Sequence, residues 1–509
     1  MIASIPSASV LGVRGCPVTV EVHVGDGLPG YHMVGMPDTA CRESRDRVRA
    51  ALASRDYQWP IRNITVNLAP TSQRKTGAGL DLAIAIGLLV ASEQLPAAAA
   101  AGHAFLGELG LDGTLRRVPG VAPMVDALDA IDVVVPPENA LEAIVAARGA
   151  ARVAPDLGAV VDCLAGLREW DLLPRPEPGH DEAFALPDLS DVRGQPVARR
   201  ALEIAAAGGH HMLLIGSPGS GKTMLAQRLP GLLPPLGRDD SLETTMVHSA
   251  AGLRLPPTGF VRSPPFRAPH HTTSVVAMVG GGSHQLRPGE VSLATNGVLF
   301  MDELGEFARS ALEGLREPLE EGVIRVARAA ARATMPARFL LVAATNPCPC
   351  GGGPPGSCQC DDVARGRYLR RLSGPLADRF DLRVVVHRPA VDELLGAEPG
   401  ETSAAVRERV VAARSVAAGR AGKLNAALSP DELDQYAPLA PDARTVLRNE
   451  IERERLTGRG YHRIRRVART IADLGDPGQP VVTVEYVELA LSMRASLRGP
   501  AVSDSRWIA

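Results

Sequence analysis

The chain has 509 residues, 45% of them hydrophobic, and a formal net charge of −2. This length is too great for one hydrophobic core, so we expect two to four domains in a globular protein. The nearly neutral balance excludes a global positive field that would attract a polyanion, and any such partner has to meet a local basic surface.

The sequence has no pattern typical of export or membrane insertion. Residues 1–20 lack a basic segment followed by a long apolar one, so no signal peptide is predicted. The longest apolar run, 80–91, contains Asp81 and is too short to span a bilayer. We therefore expect a soluble, cytoplasmic protein without a membrane partner.

Residues 1–173 form the first predicted block. Short strand-like segments such as 18–24 and 64–68 alternate there with Ala-rich helical segments such as 81–91. This pattern predicts an α/β or α+β domain. The Pro-rich, acidic stretch that follows, at 174–188, is expected to be a linker.

Residues 189–389 show a regular alternation of strand and helix patterns. Helical segments separate most of the predicted strands, which favours a parallel sheet flanked by helices. From about residue 390 to 509 only helical patterns occur. The predicted strands are 212–215, 244–247, 298–301, 339–343 and 382–386, and the predicted C-terminal helices include 404–420, 441–455 and 463–474, the last following a Gly-rich turn at 458–460.

Residues 216–223 match the phosphate-binding pattern G-x-x-x-x-G-K-[ST] in full, between a predicted strand and a predicted helix. Glycines let backbone N–H groups surround phosphates, and the following helix N-terminus adds partial positive charge. Lys222 is expected to reach the β- and γ-phosphates, and the Thr223 hydroxyl to bind Mg²⁺. The predicted ATP site consists of Gly216, Ser217, Pro218, Gly219, Ser220, Gly221, Lys222 and Thr223.

Two further motifs predict that ATP is hydrolysed. The apolar segment 298–301 ends in Asp302, which could hold Mg²⁺, and Glu303, which could act as general base on the attacking water. Asn346 ends the next predicted strand, where it either bonds the γ-phosphate or water or forms a turn. Their position after a phosphate loop favours the catalytic interpretation.

Arginines in the second half of the chain are further candidates. Arg379 precedes the last predicted strand and could face the ATP of a neighbouring subunit, because nothing else supplies a γ-phosphate arginine within the chain. The alternative is a local ion pair with Asp378 or Asp381. One arginine of the C-terminal helix is expected to sense the nucleotide, and the others to form a solvated or partner-facing surface. The candidates are Arg463, Arg465, Arg466 and Arg469.

Longer motifs around these residues resemble one family. Residues 265–274, 280–282 and 287–294 lead into the Asp302 segment, and the motifs at 346–351 and 372–381 follow it. Over nearly its whole length the chain resembles the YifB/ComM family of magnesium-chelatase-like AAA+ ATPases. The resemblance implies an AAA+ P-loop core with a helix-2 insert at roughly residues 259–288 and a helical lid.

The resemblance also implies residue roles. Lys222, Thr223, Asp302, Glu303 and Asn346 take the family's nucleotide-site positions. Arg379 would be a trans-acting arginine finger and Arg466 the lid sensor, with Arg463 as second choice. A homo-hexameric ring is expected from AAA+ relatives.

A hairpin at 321–337 corresponds to a feature that faces the central pore in related ring motors. It carries Arg325, Arg328 and Arg332 with no acidic residue between them. An arginine row facing a pore suits the phosphate backbone of single-stranded or branched DNA. The alternative is an exposed basic hairpin without a ligand.

The N-terminal block resembles the Lon-protease-like, ribosomal-S5-like α+β domain through residues 75–83 and 107–113. Gly79 stands where an active protease has its serine, and Ala122 lies near the position of its lysine. Neither side chain can perform that chemistry. The resemblance therefore implies a non-proteolytic scaffold or DNA-handling domain, as in the recombination protein RadA.

Four of the seven cysteines, Cys348, Cys350, Cys358 and Cys360, lie within thirteen residues on a Gly/Pro-rich loop. In a reducing compartment such a cluster predicts metal binding or packed thiols rather than a disulfide framework. Four thiolates suit Zn²⁺, although the two C-x-C pairs are tighter than the usual C-x2-C. A reduced thiol loop and a redox switch are the alternatives.

These observations favour an ATP-driven motor that acts on DNA, in branch migration during recombination or uptake of foreign DNA, as the resemblance implies. The main alternative is a chelatase-like ATPase that remodels a protein or a metal-insertion partner. The presence of the Lon-like block argues against tetrapyrrole chemistry, and Gly79 and Ala122 argue against an ATP-dependent protease.

Overall fold

The computed structural model describes residues 1–72, 74–129, 131–147, 149–175, 186–282, 286–328, 331–352, 358–361, 363–364, 367–368, 376–389 and 400–495. Most of the predicted linker, residues 372–375 of the motif before the last strand, and residues 496–509 lie outside this part of the chain. No helix within it is both long and apolar enough to cross a bilayer.

The N-terminal part combines a four-stranded sheet, in the order β1-β2-β4-β3, with a three-stranded sheet, β5-β8-β9. Every residue of helix α2 is buried, including Asp81. The Asp81 carboxylate tolerates burial because Arg47 donates two hydrogen bonds to it, at 2.6 and 3.0 Å. The strands are β1 (Ile2–Leu11), β2 (Arg14–Gly25), β3 (Gly30–Val34), β4 (Asn63–Ala69), β5 (His103–Phe105), β6 (Glu108–Leu109), β7 (Leu115–Arg116), β8 (Asp132–Val135) and β9 (Ala151–Val153). The helices are α1 (Thr39–Ala53), α2 (Asp81–Ala91), α3 (Ala97–Ala100), α4 (Val121–Asp126), α5 (Ala140–Ala146) and α6 (Leu157–Leu164).

The central part is built on a five-stranded sheet in the order β11-β12-β15-β10-β16, in which every neighbouring pair is parallel. A separate antiparallel hairpin joins β13 to β14. The strands are β10 (Met212–Ile215), β11 (Phe266–Arg267), β12 (Val298–Met301), β13 (Val323–Arg328), β14 (Ala331–Pro336), β15 (Leu340–Thr345) and β16 (Leu382–Val385). The helices are α7 (Pro196–Gly208), α8 (Lys222–Arg228), α9 (Arg238–Ala250), α10 (Val275–Val279), α11 (Glu290–Leu293), α12 (Arg309–Gly314) and α13 (Arg316–Glu321).

The predicted strand at 244–247 is wrong, because these residues lie inside helix α9. Their β-branched side chains favour a strand locally. The Thr244 and Thr245 hydroxyls, however, donate to the carbonyls of Asp240 and Ser241, each at 2.7 Å, as threonines do inside helices. The fifth strand of the sheet is the two-residue β11 instead, too short to be recognised from periodicity.

The C-terminal part consists of helices that share a hydrophobic cluster with the central sheet, including Leu214, Val384, Val410 and Ile471. The turn predicted at 458–460 is the first turn of the long helix, because the Thr457 hydroxyl accepts the N–H of Gly460 and caps the helix start. The helices are α14 (Ser403–Ala421), α15 (Pro430–Tyr436), α16 (Pro441–Glu452), α17 (Gly458–Gly475) and α18 (Val484–Ser492).

The N-terminal part packs directly on helix α9 through a buried polar cluster. Glu142, which is 3% exposed, accepts from Arg117 at 3.0 Å and from the Ser249 hydroxyl of α9 at 2.6 Å. Arg117 also donates to the carbonyls of Gly252 and Leu253 just after α9. Because an unpaired charge would be costly here, these bonds fix the position of the two parts relative to each other.

Asp381, one residue before β16, connects the central sheet to helix α17. Its carboxylate accepts from Arg463 of α17 at 2.7 Å and lies 3.1 Å from His210 Nδ1, while His210 Nε2 lies 2.8 Å from the Thr470 hydroxyl. Burial alone would raise the pKa of Asp381, but the hydrogen bond and charge of His210 and the charge of Arg463 outweigh burial and lower that pKa to about 2.

We predict that Asp381→Asn destabilises the protein by about 3–5 kcal/mol, because it leaves the Arg463 guanidinium buried without a carboxylate. Melting temperatures of the two proteins at neutral pH measure this. Since the folded pKa lies below the ordinary value, the carboxylate stabilises the fold above about pH 4, and the difference from the variant should shrink as the pH falls towards about 2.

Asp378→Asn is the matched control. Asp378 lies three positions away, its side chain is 54% exposed, and its nearest basic partner, Arg383, is 3.7 Å away. The control should change stability by less than about 0.5 kcal/mol. Equal melting temperatures for wild type and Asp381→Asn would show that this carboxylate does not connect the helices to the sheet.

Candidate active site

The phosphate loop lies between β10 and α8 at the carboxyl end of the parallel sheet. Gly219 and Gly221 have φ angles of 75° and 89°, which side-chain-bearing residues rarely adopt, so the motif's glycines are needed for this backbone path. The loop borders a cavity of about 450 Å³. The lining residues are Pro218, Gly219, Ser220, Gly221, Lys222, Thr223, Met224, Asp302, Glu303, Thr345 and Asn346.

Lys222 is nearly buried, with 8% of its surface exposed. Its ammonium group donates to the carbonyls of Gly216 at 2.8 Å and Ser217 at 3.0 Å, and to Asn346 Oδ1 at 3.2 Å. Burial lowers the pKa of Lys222, while the negative charges of Asp302 and Glu303 oppose that change. The lysine is therefore held within the loop, beside the asparagine that ends β15.

Thr223 and Asp302 meet at the base of the cavity. The Thr223 hydroxyl donates to Asp302 Oδ2 at 2.6 Å, although the two residues are 79 positions apart. A hydroxyl and a carboxylate oxygen are ligands of the type that Mg²⁺ prefers. The donor set thus fits the magnesium ion that accompanies ATP.

Glu303 lines the same cavity, and His271 contacts its carboxylate. Glu303 has a left-handed backbone, with φ 51°, and its side chain is 54% exposed. His271 Nδ1 lies 3.3 Å from Glu303 Oε2, and the His271 ring packs edge-on against Phe307. This contact connects the segment between β11 and β12 to the carboxylate expected to activate water.

No role was predicted for His271 from the sequence, nor for two residues that hold the phosphate loop. Gln195 Nε2 donates to the Ser220 carbonyl at 2.6 Å, and Arg388 donates to the Pro218 carbonyl at 2.9 Å. Gln195 has a φ of 58°, a left-handed backbone conformation that is uncommon for glutamine and could not be predicted from the neighbouring residues. The His-His pair within a Pro-flanked motif was the only signal that could have pointed to His271.

Arg379 has an acidic partner within its own chain, but not one of the two that the sequence suggested. Its guanidinium forms an ion pair with Glu320 of α13, rather than with Asp378 or Asp381. Burial lowers the pKa of Arg379, and the positive charges of Arg463, Arg459 and Arg316 lower it further. The arginine therefore sits in a basic cluster and is balanced by one carboxylate that is 50% exposed.

The four arginines of helix α17 differ in their partners. Arg463, Arg465 and Arg469 form ion pairs with Asp381, Asp434 and Asp473, respectively, at 2.7–2.9 Å. Arg466 donates to the Leu428 carbonyl at 2.8 Å and has no carboxylate partner among the residues that the structure describes. Of the four, Arg466 is thus the most available for another anion, and Arg463, the second choice, is committed to Asp381.

Arg379, Arg463 and Arg466 lie near Asp381, at the opposite edge of the sheet from the phosphate loop. Asp381 is hydrogen-bonded to the His211 carbonyl, where β10 and β16 begin, whereas the loop follows the end of β10. A four-residue parallel strand separates the two edges by about 13 Å. Neither Arg379 nor Arg466 lines the cavity.

The arginines of the basic hairpin β13–β14 differ in their partners. Arg325 is paired with Glu317 at 2.8 Å and with Glu321 at 2.5 Å, so two carboxylates of α13 balance its charge. Arg332 is opposite Ala327 in the register, on the same face as Arg325, and is exposed. No carboxylate pairs with it among the described residues. Arg328 ends β13, and its side chain lies outside the described part.

The four clustered cysteines come together in space. The Sγ atoms of Cys348, Cys350, Cys358 and Cys360 all lie within 4.8 Å of one another, and none forms a disulfide.

In the N-terminal block, Ala122 is fully buried, and the atoms nearest to a Cβ placed on Gly79 belong to Val118. Alanine and glycine carry no functional group, so neither position offers a nucleophile or a base.

Three family models match the chain. The model for magnesium chelatase, subunit ChlI, covers residues 188–394; that for subunit ChlI of Mg-chelatase covers 20–139; and that for the C-terminal part of subunit ChlI covers 400–494.

Two relatives match over nearly their full length. The chain is 44% identical to YifB of Escherichia coli K12 over 493 residues, which cover 96% of each chain. It is 42% identical to the competence protein ComM of Haemophilus influenzae over 503 residues, 98% of each chain. A more distant match, 27% over 176 residues, covers 35% of this chain and 21% of the "Probable DNA helicase MCM9" of rice. The chain therefore belongs to the YifB/ComM family of magnesium-chelatase-like AAA+ ATPases.

Proposed function

We propose that this protein is an ATP-hydrolysing ring motor that acts on DNA, as a branch-migration enzyme or helicase in recombination or natural transformation. The observation that carries the proposal is the split between the two edges of the sheet. One edge holds the residues expected to bind phosphate and magnesium and to activate water, and Arg379 and Arg466, at the other edge, do not line the cavity that those residues form. A homo-hexameric ring brings the two edges of neighbouring subunits together.

At the phosphate edge each side chain has a distinct task. Lys222 would exchange its loop carbonyls for the β- and γ-phosphate oxygens, and Asn346 would orient the γ-phosphate or the water. Thr223 and Asp302 would hold Mg²⁺, which supplies electrostatic stabilisation of the transferring phosphoryl group. Glu303 would accept the proton of the attacking water.

His271 acts in this scheme as a positioning residue for Glu303. The carboxylate is half exposed on a left-handed residue, so it needs a partner to keep one orientation. His271 belongs to the proposed insert, 259–288, and the Arg267–Glu290 ion pair, at 2.7 and 2.8 Å, joins β11 within this segment to α11 just after it. If the insert moves when it contacts a substrate, the His271 contact would transmit that movement to Glu303, the proposed catalytic base.

At the other edge, Arg379 and Arg466 are proposed to contact the ATP of the adjacent subunit. Arg379 would leave Glu320, which is partly exposed, for the γ-phosphate. Arg466 has a carbonyl as its hydrogen-bond partner and could exchange it for a phosphate oxygen. Phosphate-binding arginines supplied in trans speed phosphoryl transfer by about 10³–10⁵.

The choice of DNA as substrate rests on the exposed Arg332 of the hairpin and on the names of two relatives, a competence protein and a probable DNA helicase. The second candidate is a chelatase-like ATPase that remodels a protein or a metal-insertion partner. A family model named after a chelatase subunit matches residues 20–139, so the N-terminal block does not by itself argue against this alternative, contrary to the sequence-based expectation.

We predict that His271→Ala lowers the kcat of ATP hydrolysis about tenfold with little change in KM, because Glu303 loses its orientation but the phosphate contacts remain. His271→Asn, which keeps a hydrogen-bond donor, should restore part of the rate. His32→Ala is the control, since His32 is exposed on β3 and does not line the cavity, whereas the His270 ring packs on His271 with ring centroids 4.1 Å apart. Equal rates for His271→Ala and His32→Ala would contradict the positioning role.

We predict that Arg379→Ala abolishes hydrolysis, with a loss of about 10³ or more in kcat, and leaves ATP affinity unchanged. Steady-state hydrolysis and equilibrium binding of a fluorescent ATP analogue measure the two effects. Glu320→Gln is the control: it removes the intrachain partner and keeps the arginine, so hydrolysis should persist. Undiminished hydrolysis by Arg379→Ala would rule out the shared site.

We predict that ATP hydrolysis is stimulated by single-stranded or branched DNA and that Arg332→Ala weakens DNA binding, reducing the salt-dependence slope by about 1. Arg325→Ala should have a smaller effect because its charge is already balanced. Arg309→Ala, an exposed arginine paired with Glu313 on α12, is the control. Binding and hydrolysis are measured at several salt concentrations. Absence of both stimulation and salt-sensitive binding would favour the chelatase-like alternative.

A further inference from the structure

The four clustered cysteines have the geometry of a closed metal site. The Sγ–Sγ distances are 3.4 Å for Cys348–Cys350, 3.5 Å for Cys350–Cys358 and 3.4 Å for Cys348–Cys358. Four thiolates around Zn²⁺ at the usual bond length of about 2.3 Å lie about 3.8 Å apart. A disulfide would need about 2.05 Å. The spacing therefore fits a tetrahedral ion and not a covalent sulfur pair.

Backbone N–H groups are directed at the sulfurs as well. Gly352 N–H donates to Cys350 Sγ at 3.4 Å, and Cys360 N–H donates to Cys358 Sγ at 3.3 Å. Such bonds favour thiolates and orient them for a metal. Apolar packing does not explain the cluster, because Cys348 is buried, Cys350 is exposed, and the other two are half-buried. With four protein ligands no position is open for catalysis, so the site is structural.

The first part of the cysteine loop, residues 348–352, approaches the phosphate loop. Gly351, with φ 73°, lies so close to Pro218 that a Cβ at this position would be 2.6 Å from Pro218 Cδ and 2.7 Å from Pro218 Cγ. The same loop begins two residues after Asn346, whose side chain accepts from Lys222. Any ion that fixes the cysteine loop would thus restrict both the phosphate loop and the asparagine beside it.

We propose that Cys348, Cys350, Cys358 and Cys360 bind one Zn²⁺ ion per chain and that this ion holds the cysteine loop against Pro218, so that the nucleotide site is preformed. The second part rests on the proposed nucleotide site; the first part does not. Zinc has no redox chemistry, and loading releases only thiol protons. Loss of the metal loosens the phosphate-binding loop without removing any residue that contacts phosphate.

The test measures zinc content and nucleotide affinity of the full chain, purified without chelators or added metal. Wild type should hold about one equivalent of zinc, and Cys358→Ser/Cys360→Ser should hold none and bind a fluorescent ATP analogue about tenfold more weakly. Cys163→Ser is the matched control, because that thiol lies outside the cluster and bonds the Glu169 carbonyl, which a hydroxyl can also do. The control should keep both properties.

Two further measurements separate the parts of the proposal and remain informative if the double variant does not fold. Gly351→Ala keeps all four ligands but clashes with Pro218, so it should retain zinc and still lose nucleotide affinity. Wild type grown with Co²⁺ should show thiolate-to-cobalt charge-transfer and tetrahedral d–d absorption. Absence of both zinc and the cobalt spectrum would overturn the metal site, and unchanged nucleotide affinity in Gly351→Ala would overturn the coupling to the phosphate loop.

Discussion

Parallel pairing of strands β10, β12 and β15 determines where chemistry can occur in this protein. Because the strands run in the same direction, the residues that follow them arrive at one edge of the sheet. The phosphate loop, the Asp302–Glu303 pair and Asn346 each follow one of these strands. Their meeting produces the Lys222–Asn346 and Thr223–Asp302 hydrogen bonds, which join segments more than seventy residues apart in sequence.

The same constraint is the basis for the proposal that one chain alone does not complete the site. Residues that precede a parallel strand arrive at the other edge, and Arg379 and Asp381 precede β16. Asp381 attaches helix α17 to that edge through its contacts with His210 and Arg463. Arg466 lies one turn further along the same helix and is therefore held at the same edge. The arginines expected to contact a γ-phosphate are thereby placed away from their own nucleotide, and a ring of subunits is the arrangement in which they become useful.

Much of this architecture was predictable because strong local patterns and the fold agree. Strands β10 and β12 have the bounds predicted from apolar runs that end at phosphate-binding and acidic motifs. The segment 244–247 was wrongly predicted because threonines are ambiguous until their helical hydrogen bonds are seen. The pairings of Arg379 with Glu320 and of Glu303 with His271 depend on tertiary placement, which no local pattern encodes.

The central claim is that each hydrolytic site is completed by a neighbouring subunit, and mixing two inactive variants tests it most directly. Lys222→Ala lacks the phosphate-binding lysine but keeps Arg379, whereas Arg379→Ala has the reverse defect. Each variant alone should be inactive, and mixed rings should recover hydrolysis wherever an intact Lys222 site meets an intact Arg379. Hydrolysis that never exceeds the sum of the two separate variants, in rings shown to contain both, would contradict the shared site.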